Sequence, residues 1–105
     1  MSAPEVTAHR LGPAAAVPVG EGRAFAVGDE QVAVFRLRDG SLHALSAACP
    51  HAGGPLADGT VDATKVVCPL HQHAFALADG ACLTAGPDAR AYPVRVEGGE
   101  IVVET

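Results

Sequence analysis

Aromatic residues are scarce in this chain, which has no tryptophan, one tyrosine and three phenylalanines among 105 residues. Large aromatic side chains often anchor binding surfaces, so we expect any docking face to be small. Glycine (12) and proline (8) are frequent instead. Their abundance favours many short strands joined by turns over a helical bundle.

Clusters of basic residues are also missing. The chain has 7 basic and 12 acidic residues, a formal net charge of −5, and no run of lysine or arginine. Binding to phosphate backbones depends on clustered cationic side chains. We therefore expect no nucleic-acid partner.

Long apolar segments are absent as well. The first twenty residues contain one apolar patch, Ala14 to Val17, but no cationic start and no apolar run of signal-peptide length. No stretch approaches the length of a membrane span. Three cysteines are an odd number, which does not fit a framework of intramolecular disulfides. These features predict a soluble protein of the reducing cytoplasm without membrane contact.

Two short Cys/His pairs carry most of the chemistry in the sequence. One residue separates Cys49 from His51, two residues separate Cys68 from His71, and a proline follows each cysteine. We expect each pair on its own loop, so that two facing loops offer two thiolates and two imidazoles. Such a set suits a tetrahedral zinc ion, or a [2Fe–2S] cluster in which one iron takes the cysteines and the other the histidines.

The distribution of the ligands favours iron over zinc. A common zinc arrangement has two cysteines on one element and two histidines on another, whereas each loop here has one of each. This suits a two-iron centre because each loop can give its cysteine to one iron and its histidine to the other. A structural zinc module that serves as an interaction domain remains the alternative.

The sequence resembles Rieske ferredoxins over roughly residues 20–104. The resemblance is carried by CPHAGGPLADG, then VVCPLHQHAFALADGACL, then GPDARAYPVRVEGGEIVV. Within the family it is most similar to the small subunit of NAD(P)H-dependent nitrite reductase, and next to the ferredoxin components of aromatic-ring dioxygenases. The implied fold is all-β, an antiparallel β-sandwich with two cluster-binding loops at one end, and we expect residues 1–105 to form this single domain.

The same resemblance implies the ligands of the cluster. Cys49 and Cys68 would bind the inner iron, and His51 and His71 the outer iron near the surface. These four residues would occupy all the coordination positions that the protein supplies, which leaves no site for a substrate. We therefore expect an electron-transfer component of an oxidoreductase. Its redox partner would be the nitrite reductase large subunit or, alternatively, a ferredoxin reductase and an oxygenase.

The resemblance also indicates a low reduction potential. High-potential Rieske proteins have a disulfide at the positions of Gly54 and Leu70, and a Ser and a Tyr at those of His73 and Phe75. The missing hydroxyl groups would otherwise stabilise the reduced cluster, so we expect a potential toward the low end of the Rieske range. We expect His73 to be a loop side chain near the cluster and Cys82 to be a small packed residue.

Alternating apolar residues and turn signals predict the strands. Two-residue hairpin turns are expected at Asp39-Gly40 and Gly98-Gly99, because both positions of such turns must tolerate positive φ. The predicted strands are residues 6–11, 22–27, 31–38, 41–46, 65–67, 75–77, 81–84, 92–97 and 100–104.

Overall fold

The computed structural model describes residues 7–48, 55–69, 72–84 and 86–105. These residues form ten strands in three antiparallel sheets, and the helical segments among them are two 3₁₀ turns, at residues 14–16 and 56–58. The expected all-β fold is therefore confirmed. The strands are β1 (Ala8–Pro13), β2 (Glu21–Val27), β3 (Glu30–Arg36), β4 (Leu42–Ser46), β5 (Thr60–Val61), β6 (Lys65–Val67), β7 (Ala74–Ala76), β8 (Ala91–Tyr92), β9 (Val94–Glu97) and β10 (Glu100–Glu104).

A four-stranded sheet in the order β2-β3-β4-β8 lies between the other two. Strand β3 is buried on both faces: Ala33 and Phe35 point to one side, Val32 and Val34 to the other. Alternation along a strand sends successive side chains to opposite faces of the sheet, so β3 contributes to two separate cores. The first core joins the central sheet to the β5-β6-β7 sheet, and the second joins it to the β1-β10-β9 sheet.

The β3–β4 connection is longer than the predicted two-residue turn. Strand β3 ends at Arg36, whose partner is Leu42. Beyond this pair the Leu37 amide donates to the Ser41 carbonyl at 2.9 Å, so three residues, 38–40, form the turn. Leu37 is buried in the first core, and the Asp39 carboxylate accepts the Ser41 amide at 2.9 Å. The Gly40 amide donates to the Leu37 carbonyl at 3.0 Å, and of Asp39 and Gly40 only Gly40 has a positive φ, 87°. This is the pattern of a three-residue hairpin turn that ends in a glycine.

The predicted strand at residues 92–97 is two strands in two sheets. Pro93 separates β8, which pairs with β4, from β9, which pairs with β10. Proline has no amide proton for a sheet ladder, and the chain changes sheets at this position. The Gly98-Gly99 turn is confirmed, with φ of 58° and 80°. The predicted return strand 81–84 is reduced to a single bridge between Phe75 and Cys82.

Candidate cluster site

The base of the first ligand loop is closed by the backbone. Strand β4 ends at Ser46, an antiparallel bridge joins Ala48 to Pro55, and the Leu56 amide donates to the Ala47 carbonyl at 2.8 Å. This stem brackets residues 49–54. Two predicted ligands, Cys49 and His51, belong to that segment and lie outside the described residues, as do Gly53 and Gly54.

The second ligand loop has a similar base. Strands β6 and β7 pair, and beyond them the Cys68 amide donates to the His73 carbonyl at 2.8 Å. Cys68 directly follows β6, as the sequence predicts, and it is fully buried. The predicted ligand His71 lies outside the described residues, together with Leu70.

Both stems pack on the first core. Leu56 from the base of the first loop and Cys68 and Phe75 from the base of the second belong to the same buried cluster, and Ala47 packs against it. This shared core places the two loop bases side by side. A thiol shielded from solvent beside apolar side chains suits the inner metal of a two-iron centre, so the described part of the site fits the predicted donor set.

A polar group that the sequence analysis did not predict lies beside the second loop. The Nδ1 atom of His73 is 2.9 Å from the hydroxyl oxygen of Thr84, and the Cys82 sulfur is 3.4 Å from the same oxygen. The expected packing of Cys82 is confirmed, since it packs against the first core. Nothing in the local pattern identifies Thr84, because it reaches His73 across 11 residues of chain.

The described ranges contain no cluster of three or more His, Cys, Asp or Glu side chains that could hold a metal ion. In the same ranges, no helix is long and apolar enough to cross a membrane.

A family comparison identifies the domain. Residues 7–101 match the model of the Rieske [2Fe-2S] domain. The chain belongs to the Rieske [2Fe–2S] family. A Rieske domain binds a [2Fe–2S] cluster and transfers electrons, so the resemblance in the sequence is confirmed at the level of the family, its fold and its cofactor.

Rieske proteins of two different systems are similar to this chain. A solved structure from Mycobacterium tuberculosis, described as a candidate NADH-dependent nitrite reductase small subunit, is 32% identical, covers 97% of both chains and has a TM-score of 0.90. The ferredoxin of carbazole 1,9a-dioxygenase from Nocardioides aromaticivorans is 36% identical, covers 92% of this chain and 96% of its own, and has a TM-score of 0.84. The 3-phenylpropionate/cinnamic acid dioxygenase ferredoxin subunit of Escherichia coli is 35% identical and covers 88% of both chains.

Proposed function

We propose that Cys49, His51, Cys68 and His71 hold the cluster, with the cysteines on the inner iron and the histidines on the outer iron. When bound, the cluster accepts and releases one electron at a time. Two observations support this ligand set. Cys68 is buried at the base of one closed loop, and the base of the other, which brackets Cys49 and His51, packs on the same core. Family membership favours this centre over the zinc alternative.

We propose further that the protein is the electron-transfer small subunit of an NAD(P)H-dependent nitrite reductase. The supporting observation is the match over 97% of both chains, with a TM-score of 0.90, to the Mycobacterium tuberculosis protein. Its partner would then be the large subunit that holds the catalytic cofactors. The whole chain would act as one domain in the reducing cytoplasm, as its odd number of cysteines favours.

A ferredoxin component of a ring-hydroxylating dioxygenase is the second candidate. It is favoured by sequence identities of 36% and 35% to the two dioxygenase ferredoxins, slightly above the 32% for the nitrite reductase relative. In that role the protein would carry electrons from a reductase to an oxygenase. The cluster and its ligands would be the same, and only the partners would differ.

The cluster is tested by electron paramagnetic resonance of the dithionite-reduced protein, with iron, sulfide and zinc measured on the same sample. We expect a rhombic signal with the low average g of histidine-ligated [2Fe–2S] centres. Cys68→Ser and His71→Ala should each abolish that signal. The matched controls Cys82→Ser and His73→Gln should keep it. A colourless wild-type protein with one zinc per chain would contradict the proposal.

The choice between the two candidate functions is tested by finding which partner protein reduces the cluster. The oxidised protein is mixed anaerobically with NADH and either a nitrite reductase large subunit or a ferredoxin reductase of a dioxygenase system, and bleaching of the cluster is followed in a stopped-flow instrument. Fast bleaching with the large subunit alone supports the first candidate. Fast bleaching with the ferredoxin reductase alone supports the second and excludes the first.

A further inference from the structure

The segment Asp88–Arg90 bonds to the chain that follows the second ligand loop. It belongs to no strand. One carboxylate oxygen of Asp88 accepts a hydrogen bond from the Cys82 amide at 2.8 Å. The Ala89 amide donates a hydrogen bond to the Gly80 carbonyl, also at 2.8 Å. Gly80 and Cys82 lie on the turn and return segment after β7, the strand through which the chain leaves the second loop. The 88–90 segment is therefore attached to the scaffold of that loop.

The other end of the segment bonds to the scaffold of the first loop. Two hydrogen bonds of the Arg90 backbone make this attachment: its carbonyl accepts one from the Ser46 amide at 2.8 Å, and its amide donates one to the Ser46 hydroxyl at 3.3 Å. Ser46 is the last residue of β4, just before the base of the first loop. The Arg90 guanidinium also donates to Glu30 at 2.7 Å and lies over the Tyr92 ring, 4.9 Å from its centroid. Burial and the neighbouring Glu30 raise the pKa of the Tyr92 phenol.

Close packing holds the segment between these attachments. Ala89 is 5% exposed and belongs to the first core, together with Cys68 and Leu56. A β-carbon added to Gly80 would collide with the Ala89 carbonyl. Because packed backbone has no room to slide, a displacement of the segment would be passed to both loop scaffolds.

We infer that Asp88 and Arg90 are positioning residues that set the spacing of the two ligand loops. The inference rests on the proposed function, because it concerns a cluster that takes a cysteine and a histidine from each loop. Such a centre is sensitive to the relative placement of the loops, since each iron is bound from both. A segment with a purely structural role would affect the stability of the fold without changing the cluster.

The first test separates the Asp88 hydrogen bond from its charge. Asp88→Ala removes the acceptor for the Cys82 amide, whereas Asp88→Asn keeps a side-chain oxygen there. The matched control is Asp39→Ala, because Asp39 accepts the Ser41 amide in the same manner in the β3–β4 connection. We expect Asp88→Ala to release iron to a chelator roughly three- to tenfold faster, the size expected for the net contribution of one ordinary hydrogen bond, and to shift the g values. Asp88→Asn and Asp39→Ala should match the wild type.

The second test removes the Arg90 side chain. Arg90→Met keeps the backbone bonds to Ser46 but removes the bond to Glu30. Glu30 precedes Gln31, whose carbonyl accepts a hydrogen bond from the Ala47 amide at 2.9 Å at the base of the first loop, so this variant should also release iron faster. Arg95→Met is its control, because Arg95 is an exposed arginine in an ion pair, 2.8 Å from Glu104, on the β1-β10-β9 sheet. If Asp88 and Arg90 act as one connection, the double variant Asp88→Ala/Arg90→Met should release iron no faster than the faster single variant.

Two outcomes distinguish the inference from the proposed function. A wild-type protein with the Rieske signal, and Asp88→Ala and Arg90→Met variants with wild-type release rates and g values, would overturn the inference alone, even if the variants unfold more easily. A wild-type protein without the signal would overturn the proposed function and the inference with it.

Discussion

Gln72 has a left-handed backbone conformation next to the predicted ligand His71. Its φ is 55°, in the region that glycine adopts without cost. Its side chain is exposed, so little packing energy offsets the backbone cost of this conformation. We expect Gln72→Gly to raise the free energy of unfolding by about 1 kcal/mol in urea denaturation.

Gln31→Gly is the matched control for this substitution. Gln31 is an exposed glutamine within β3, where glycine is expected to cost about 0.5–1 kcal/mol. The two substitutions should therefore change stability in opposite directions. A loss of stability in Gln72→Gly would show that residue 72 does not have this conformation.

The Asp62 carboxylate is stabilised in its charged form. Its hydrogen bond with the Lys65 ammonium, 2.8 Å away, is the main cause that lowers its pKa, and the Thr64 and Lys65 amides add to the effect. Because the folded pKa lies below the usual value of an aspartate, about 3.9, the contribution to stability is present above about pH 4 and is lost as the pH falls through the folded pKa.

A carboxyl titration by NMR tests this effect. Lys65→Met should raise the pKa of Asp62 toward its ordinary value. The same substitution should leave the pKa of Asp39 low, because that pKa is lowered mainly by the Ser41 hydroxyl. An equal change at both carboxyls would contradict the local cause.

At the scale of elements, Gly59 allows the 56–58 turn to pack against β6. A β-carbon at Gly59 would collide with the Val67 carbonyl and lie 2.8 Å from the Val66 side chain, although its φ of −70° suits any residue. We expect Gly59→Ala to cost about 2–3 kcal/mol in urea denaturation, through steric overlap alone. Because Val67 precedes Cys68, iron release should also be faster.

The control for Gly59→Ala is Gly40→Ala, in which the added β-carbon meets backbone strain but no steric overlap. Gly40 has a φ of 87° and open space around it, so alanine meets only the backbone cost, about 1 kcal/mol. Iron release in Gly40→Ala should equal that of the wild type. Equal losses of stability in the two variants would contradict the steric explanation.

At the scale of the whole molecule, the two cores have different relations to the site. Leu56 belongs to the first core, which carries both loop bases, and Ile101 belongs to the second. Both side chains are fully buried. We expect Leu56→Ala and Ile101→Ala each to lower the free energy of unfolding by about 2–5 kcal/mol.

The two variants should differ in the cluster. Leu56→Ala is expected to accelerate iron release well beyond Ile101→Ala, because the cavity it leaves lies in the core that contains Cys68 and carries the base of the first loop. Chelator assays at matched stability, with urea added to the more stable variant, make the comparison. Equal release rates would show that the cores do not differ in their effect on the site.

Local patterns were sufficient for most of the strands and for part of the site. Alternating apolar residues predicted β3 and β4, because side chains on a strand point alternately to the two faces of the sheet. Gly98-Gly99 predicted the final hairpin, because positive φ at both turn positions favours glycine. The three-residue length of the turn after Leu37 was not predictable from Asp39-Gly40, because a glycine at positive φ suits this turn as well as a two-residue one. The change of sheet at Pro93 likewise depends on which strand is available to pair.

The sequence by itself determined the family and its cofactor, the two Cys/His pairs that we propose as ligands, and the position of Cys68 directly after a short strand. Ligand type and spacing are local properties of the chain. Only the tertiary structure decided that both loop bases share the first core and that the 88–90 segment joins them. Arg90 reaches Glu30 across 60 residues, and such contacts depend on how the sheets pack, which no local pattern encodes.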